Sequence, residues 1–451
     1  MKRRNFIKLS LVTAASLITP SLLSASTDLS NVTFDKEIYD TNSAQVIMIY
    51  LYGGASQLAG NLSNLDEIKE KSQSSYDDYF RSITPTKNGF WQEAGGAYLE
   101  EMIDNNDLTL FRTCYSKVRE KNNNKAHGIC TAQNQRGTFD ESSAGVVTKL
   151  TNILSNQNLI NENSVMPFVT MEGLSSFYTI GNSTVPSYLK AVGLNEQLDN
   201  PYQRFVRYWF EYTNEEREIT DYNKNDERGF DPAFNNTMNL MAQKNNSNIK
   251  IKNAFTRREP LSDFIKKIAS ETTPDLGSDA YPQDSTFAQR LASSIKVMSN
   301  NPDTKVITMN TGGLGGWDDH NDARNYVRRS EDLYKTLKSG MAHLKALEKE
   351  ENISIMVFAE FGRNVNLNSA QGWDHGNLQN FLVLGGKKYF NHQGVVGTTE
   401  ISAKGAFNRL YMKPKDDSYS FEPFSIAATL YKVFGITNPE ILTDGNKAVQ
   451  I

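Results

Sequence analysis

The chain reads as an α/β protein, a three-layer sandwich with a mainly parallel central sheet, and three observations predict it. The segment Gln45–Tyr52 (QVIMIYLY) is a continuous apolar, β-branched and aromatic run closed by Gly53-Gly54, the pattern of a strand buried on both faces. Similar short runs recur at Leu108–Phe111, Val165–Met171, Lys305–Met309, Ile353–Phe358 and Phe381–Leu384. Between them lie helical patterns at Ser143–Asn156, at Phe287–Ser299 with Phe287, Leu291, Ile295 and Met298 on one face, and at Leu333–Glu348 with Leu333, Leu337, Met341, Leu344 and Leu347. Strand and helix in alternation, with strands apolar on both sides, call for helices on both faces of one sheet.

Composition narrows the function. The 451 residues are 38% hydrophobic and 22% charged, the balance of a soluble globular chain. Lys plus Arg number 48 against 52 for Asp plus Glu, so a basic excess that would neutralise a nucleic-acid backbone is absent. Five histidines and two cysteines exclude zinc ribbons, four-cysteine iron–sulfur clusters and disulfide scaffolds. Metal or proton chemistry must therefore rest on carboxylates and very few imidazoles. A dinucleotide glycine fingerprint and a haem Cys-x-x-Cys-His are also missing.

The first 26 residues read as an export signal. Lys2, Arg3, Arg4 and Lys8 give a basic start, Leu9–Leu23 is mostly apolar and small, and Ser24, Ala25 and Ser26 suit a signal peptidase. The apolar span is too short, and too broken by Pro20, for a stable membrane anchor. Arg3-Arg4-Asn5-Phe6-Ile7-Lys8 resembles the twin-arginine signal, with Lys2 where Ser or Thr is usual; an ordinary secretory signal is the alternative. The expected partner in export is the twin-arginine translocase, and the expected destination is the periplasm or the medium. Cleavage near Ala25 removes four basic residues and moves the net charge from −4 to −8. Residues 27–451 are expected to form one α/β domain with a mostly helical insertion at about 187–273, which is rich in charged and Asn residues and has no convincing strand. Cys114 and Cys130 are expected to be free, buried thiols, His343 to be solvated and His392 to be inert.

In open parallel sheets ligands bind outside the carboxyl ends of the strands, so the residues just after each strand carry the candidates. After the first strand, Gly53-Gly54-Ala55-Ser56-Gln57 offers backbone N–H groups and one hydroxyl. After Lys305–Met309, Gly312-Gly313-Leu314-Gly315-Gly316 permits close backbone approach, and Trp317-Asp318-Asp319-His320 puts an oxygen and a nitrogen ligand on one side of an extended segment. Glu360 and Arg363 follow Ile353–Phe358, as a metal-site pair or a structural ion pair, and Asp374-His375 adds a second Asp–His pair bracketed by glycines. His127, in a segment after the second strand, could reach the same edge or serve the fold.

These residues, in this order, with Leu384-Gly385-Gly386, Ala427-Ala428-Thr429-Leu430 and Phe434-Gly435, resemble the domain-of-unknown-function 1501 family of exported bacterial proteins, over about residues 43–440. That family is in turn similar to the alkaline phosphatase and sulfatase superfamily, an α/β sandwich holding one or two divalent metals at the carboxyl ends of its sheet. The resemblance implies that Asp318, His320, Glu360, Asp374 and His375 hold a divalent ion (Zn, Mn, Mg or Ca). It further implies catalytic work for His127, Thr131 and Arg363, and substrate contacts for Ser56 and Trp317. An Asp expected after the first strand is replaced by Gly53-Gly54, and Cys130 lacks the Cys-x-Pro-x-Arg context of a formylglycine sulfatase. The implied function is metal-dependent hydrolysis of phosphate or sulfate esters of a small molecule or polymer. The alternative is a non-catalytic periplasmic binding or assembly protein on the same fold.

Overall fold

The computed structural model describes residues 29–35, 42–62, 80, 83–196, 198, 240–241, 243–244, 261, 264–404 and 409–450. The export signal expected at 1–26 and most of the insertion expected at 187–273 lie outside these described residues. The elements that build the site are, in chain order, β1 (Gln45–Leu51), α1 (Gly96–Asp104), β2 (Leu108–Cys114), α2 (Lys117–Asn122), α3 (His127–Arg136), α4 (Val146–Asn156), β3 (Phe168–Thr170) and β4 (Val192–Gly193). There follow α5 (Thr286–Asn300), β5 (Val306–Asn310), α6 (Tyr326–Ala346), β6 (Ile353–Ala359), β7 (Gln379–Gly385), β8 (Gly394–Val396), a hairpin of β9 (Thr399–Lys404) and β10 (Arg409–Pro414), and α7 (Phe424–Val433).

Eight strands form one sheet in the order β4-β3-β5-β1-β6-β7-β2-β8. β1 lies between β5 and β6 and is parallel to both, as its unbroken apolar run predicts. All seven of its residues are buried. β7 alone runs against its neighbours β6 and β2. The connection from β6 to β7 carries no helix, so the crossover that a parallel pair demands is missing and the strand returns antiparallel. The same helix-free connection holds Glu360, Arg363, Asp374 and His375. β4 is a two-residue edge strand within the span where the sequence shows no strand pattern.

Alternation along β1 divides the core. Ile47, Ile49 and Leu51 face a cluster with Leu99 and Met102 of α1, Phe287, Leu291 and Ile295 of α5, and Leu333, Leu337, Met341 and Leu344 of α6. Val46, Met48 and Tyr50 face the other cluster, with Val146, Leu150 and Ile153 of α4 and Ile426, Leu430 and Tyr431 of α7. Helices therefore cover both faces, and the described residues form the expected three layers. Each fully buried aliphatic side chain adds about 1.5–3 kcal/mol, so the two faces of the sheet supply most of the driving force. α5 begins at Ser285, whose hydroxyl accepts from the Ala288 N–H at 3.2 Å.

Both cysteines are buried and free. His343 differs from its expectation of a solvated surface. It has no exposed area, and its Nδ1 lies 3.1 Å from the Tyr281 hydroxyl, because the segment before α5 covers the flank of α6 that the helical pattern leaves open. His392 is also built in, with Nδ1 3.2 Å from Thr109 Oγ1 and Nε2 2.9 Å from the Gly385 carbonyl.

Burial, aided by Lys296, pushes the His343 imidazole from its ordinary 6.5 down to about 4. The unfolded chain therefore takes up this proton first as pH falls, and the stability His343 contributes above pH 6.5 is lost as pH drops through about 4. Denaturant titrations at neutral and acid pH should show His343→Gln losing on the order of 2 kcal/mol less than the unsubstituted protein across that window; equal losses would refute the assignment.

Candidate metal centre

Because β5, β1 and β6 run parallel side by side, their carboxyl ends share one edge of the sheet. The turn after β1 meets the loop after β5 backbone to backbone, with the Trp317 N–H donating to the Tyr52 carbonyl at 3.0 Å. Gly53 sits at φ +107°, and a Cβ there would lie 2.5 Å from the Asp318 nitrogen. Only glycine allows that approach. Of the four glycines before Trp317, Gly312 and Gly313 are closely approached, a Cβ lying 2.4 Å from Arg290 Nη1 and 2.9 Å from Thr286 Cβ, whereas a Cβ on Gly315 or Gly316 would meet nothing within 4 Å.

Glu360 follows β6 directly, and its side chain is 2% exposed. A carboxylate this buried needs donors, and it has three. The Gly53 N–H donates to Oε1 at 2.6 Å, His127 Nδ1 lies 2.8 Å from the same oxygen, and the Thr131 hydroxyl donates to Oε2. His127 and Thr131 stand four residues apart on α3, one above the other on one helix face. The backbone carbonyl of Glu360 accepts from Arg119 Nη1 and Asn134 Nδ2, each at 3.0 Å, which locks α2 and α3 to the strand end.

Beyond this carboxylate, His127, Asp318, His320 and His375 each offer a ligand atom, all within 4.8 Å of one another. His127 Nε2 is 2.9 Å from His375 Nε2 and 3.5 Å from Asp318 Oδ1, and His320 Nδ1 is in contact with Asp318 Oδ1. The donor set tests for a cation. Glu360 places the proton of His127 on Nδ1, and His375 also bonds the backbone of Lys125. The lone pair on His127 Nε2 then faces His375 Nε2 at 2.9 Å, where a positive ion would hold both rings. The spacing is shorter than the edge of roughly 3.3–3.4 Å of a tetrahedron of ligands about 2.0–2.1 Å from a metal, so an ion there would spread the two rings slightly. Burial, then Arg363, His127 and His320, push His375 down to about 4, so it is a neutral ligand at pH 7. Asp318 is 52% exposed; burial pushes its carboxyl up, but hydrogen bonds from Arg363 and His320 outweigh it and hold the group below the usual range.

Arg363 is the clamp of the site. Its side chain is fully buried, and four of its five N–H groups are taken: Nε by the Gly54 carbonyl at 2.7 Å, one on Nη1 by the Trp373 carbonyl at 3.0 Å, and two on Nη2 by the Gly53 carbonyl and by Asp318 at 2.5 Å, while Nη1 also lies 3.0 Å from His320 Nδ1. Burial lowers its pKa, offset by Asp318. An antiparallel bridge between Arg363 and His375 joins the two ends of the β6–β7 connection.

The expected residues thus sort by position. Asp318, His320 and His375 converge, and His127, expected as catalytic, is the fourth of the group rather than a separate base. Glu360 stands behind His127. Asp374 turns away, with Oδ1 accepting from Asn368 Nδ2 at 3.2 Å. Thr131 is engaged by Glu360, and Arg363 is buried with four of its N–H groups held by carbonyls and Asp318. Trp317 corrects the expectation of a substrate contact: it is 2% exposed, under the Arg329 guanidinium, with its indole N–H donating to Thr311 Oγ1 at 2.9 Å. Ser56 is likewise buried, with its hydroxyl turned toward the Leu58 N–H at 3.5 Å. Sequence reasoning missed Arg119 and Asn134. Their signal was a polar stripe on short helices next to a candidate histidine, which reads as solvent-facing until the fold buries it.

The described residues define an α/β sandwich protein with a three-histidine, one-aspartate cluster at the carboxyl edge of its sheet. Residues 43–436 match the family described as "Protein of unknown function (DUF1501)", and the chain belongs to that family. No curated protein matches it significantly. Among solved structures it is similar to an alkaline phosphatase superfamily protein from Vibrio parahaemolyticus, with a TM-score of 0.38 and 12% identity over 98% of this chain and 78% of that one. It is also similar to alkaline phosphatase from the Antarctic bacterium TAB5, with a TM-score of 0.36 and 11% identity over 88% and 99%. A sulfatase from Pseudoalteromonas sp. gives 0.37 and 10% over 92% and 75%.

The clamp generates a stability prediction. Lysine keeps the charge but cannot reproduce the fork of Arg363, and each buried carbonyl left without its donor costs about 1–3 kcal/mol. Arg363→Lys should lose about 1–3 kcal/mol in denaturant unfolding; no measurable loss would show that the carbonyl contacts are not structural.

Proposed function

We propose that this protein is an exported, metal-dependent hydrolase acting on phosphate or sulfate esters. The observation that carries the reading is the convergence of His127, Asp318, His320 and His375 within 4.8 Å, with the Glu360 carboxylate on the far ring nitrogen of His127. A carboxylate behind a ligating imidazole fixes its tautomer and raises its basicity. Three imidazoles and one carboxylate suit zinc or a similar transition metal better than Mg or Ca, which prefer oxygen ligands. When bound, such an ion supplies Lewis acidity and an activated water for displacement at phosphorus or sulfur.

The chain's own residues do the rest. Glu360 keeps His127 Nε2 unprotonated, and Arg363 orients Asp318 while holding the turn after β1 against the β6–β7 connection. With the imidazoles neutral, Asp318 and Glu360 are balanced by Arg363 and Arg119, so an added divalent ion makes the centre positive and favours an anionic ester. The half-exposed Asp318 marks the open side. The Arg3-Arg4 signal supports export by the twin-arginine translocase to the periplasm or the medium. Among the described residues, no helix is long and apolar enough to cross a membrane.

A second reading, a binding or assembly module, is favoured by one observation: the Thr131 hydroxyl, expected to do catalytic work, is held by Glu360. Metal analysis and turnover separate the two. Purified protein should carry one transition-metal ion per chain; Asp318→Ala and His375→Ala should lose it, and Glu360→Gln should weaken it about 10–100-fold. Metal-loaded protein should cleave members of a phosphomonoester, phosphodiester and sulfate-ester panel. Absence of stoichiometric metal after growth with adequate Zn and Mn would sink both the centre and the hydrolase; metal without turnover would leave the binding module. Changing Arg3 and Arg4 to Lys should stop export, and undiminished export would exclude the twin-arginine route.

A further inference from the structure

Beside the metal centre, a cleft of about 430 Å³ opens between the turn after β1, α3 and the loop after β3. Tyr52, Thr131, Gln135, Glu172, Ser175 and Asn310 line it. Both carboxyl oxygens of Glu172 and the Ser175 hydroxyl are sealed from solvent, yet none of the three has a hydrogen-bond partner of good geometry. Buried polar groups left in this state cost about 1–3 kcal/mol each, and proteins keep them where a ligand completes them. The Tyr52 hydroxyl accepts from Gln135 Nε2 at 2.7 Å, and its own proton is directed to the side of Glu172.

We infer that this cleft is a binding site for a hydroxyl-bearing organic group, a polyol or sugar unit, recognised by Glu172, Ser175 and Tyr52. Acceptor and donors standing side by side match a hydroxyl, which gives one hydrogen bond and takes others. No cation lines the cleft, and Arg290, whose charge acts on Glu172, is held by Glu196 at 3.1 Å and by Asn310 at 2.9 Å. An ammonium would need Glu172 ionised, but burial pushes that carboxyl up to about 7, opposed by Ser175, Tyr52, Arg290 and Thr308. A hydroxyl is served by either protonation state. The volume lies within the range of small-molecule sites.

Thr131 joins the cleft to the metal centre. It lines the cleft and donates to Glu360, which holds His127. Assigning the cleft to the alcohol half of an ester rests on the hydrolytic reading above; its capacity to bind hydroxyls does not. The full chain would be titrated with D-glucose, ethanolamine and inorganic phosphate, each followed by saturation-transfer NMR with and without a chelator. Glucose should bind in both conditions, and Glu172→Gln and Ser175→Ala should each weaken it tenfold or more with unfolding midpoints unchanged or raised. Binding of ethanolamine or phosphate in place of glucose, no binding by any probe, or full glucose affinity in both variants would overturn the inference. Glucose binding by a protein that cleaves no ester would sink the hydrolase alone, and ester cleavage by a protein indifferent to glucose would sink the cleft alone.

Discussion

The site depends on one buried carboxylate. Glu360 ends the central strand β6 where water cannot solvate its charge, so the fold must bring donors to it. They come from the turn after β1 through the Gly53 N–H and from one face of α3 through His127 and Thr131. Sheet, first turn and helix are thereby tied at a single point, and the same contact that satisfies Glu360 aims the free nitrogen of His127 into the cluster. Charge-assisted hydrogen bonds of this kind are about twice as strong as neutral ones, which explains how a charge survives at the end of an apolar strand.

Around that point the site is assembled from loops held together through backbone atoms. Arg363 reaches carbonyls of the first turn and of the β6–β7 connection, and Gly53 lets the chain pass within contact of Asp318. Rigid carbonyl acceptors fix a guanidinium more firmly than a flexible carboxylate can, so Asp318 gains its orientation from a group that is itself immobile. Arg119 plays the parallel part on the other side, binding the Glu360 carbonyl and the Asn134 and Gln133 side chains of α3. The cleft with Glu172 lies where this rigid frame ends, and the Glu172 carboxyl there is held far less tightly than that of Glu360.

Much of the fold was legible in the residues. Apolar runs marked β1, β2, β3, β5, β6 and β7, and 3.6-residue periodicity marked α4, α5 and α6, because burial on both faces or on one face leaves a direct imprint on composition. The reversal of β7 was not legible, since it follows from a connection without a helix and not from the strand itself. Nor was α3, whose residues show no apolar face, because its inward side packs on Glu360 and Arg119 through polar atoms. His343 escaped for a related reason: a helix read alone cannot reveal the segment that covers its flank.

For the site, the sequence by itself determined the inventory: few histidines, two Asp–His pairs each preceded by Gly-Trp, a Glu and an Arg after an apolar strand. Residue type and strand-end position are local properties, and parallel strands bring their ends together whatever the details. Only the tertiary structure decided which atoms meet. It moved His127 into the cluster, set Glu360 behind it, turned Asp374 aside and buried Trp317, because ligand geometry depends on ångström-scale distances between segments up to 248 residues apart. Such distances arise from packing and backbone contacts across the sheet edge, to which no local spacing in the chain corresponds.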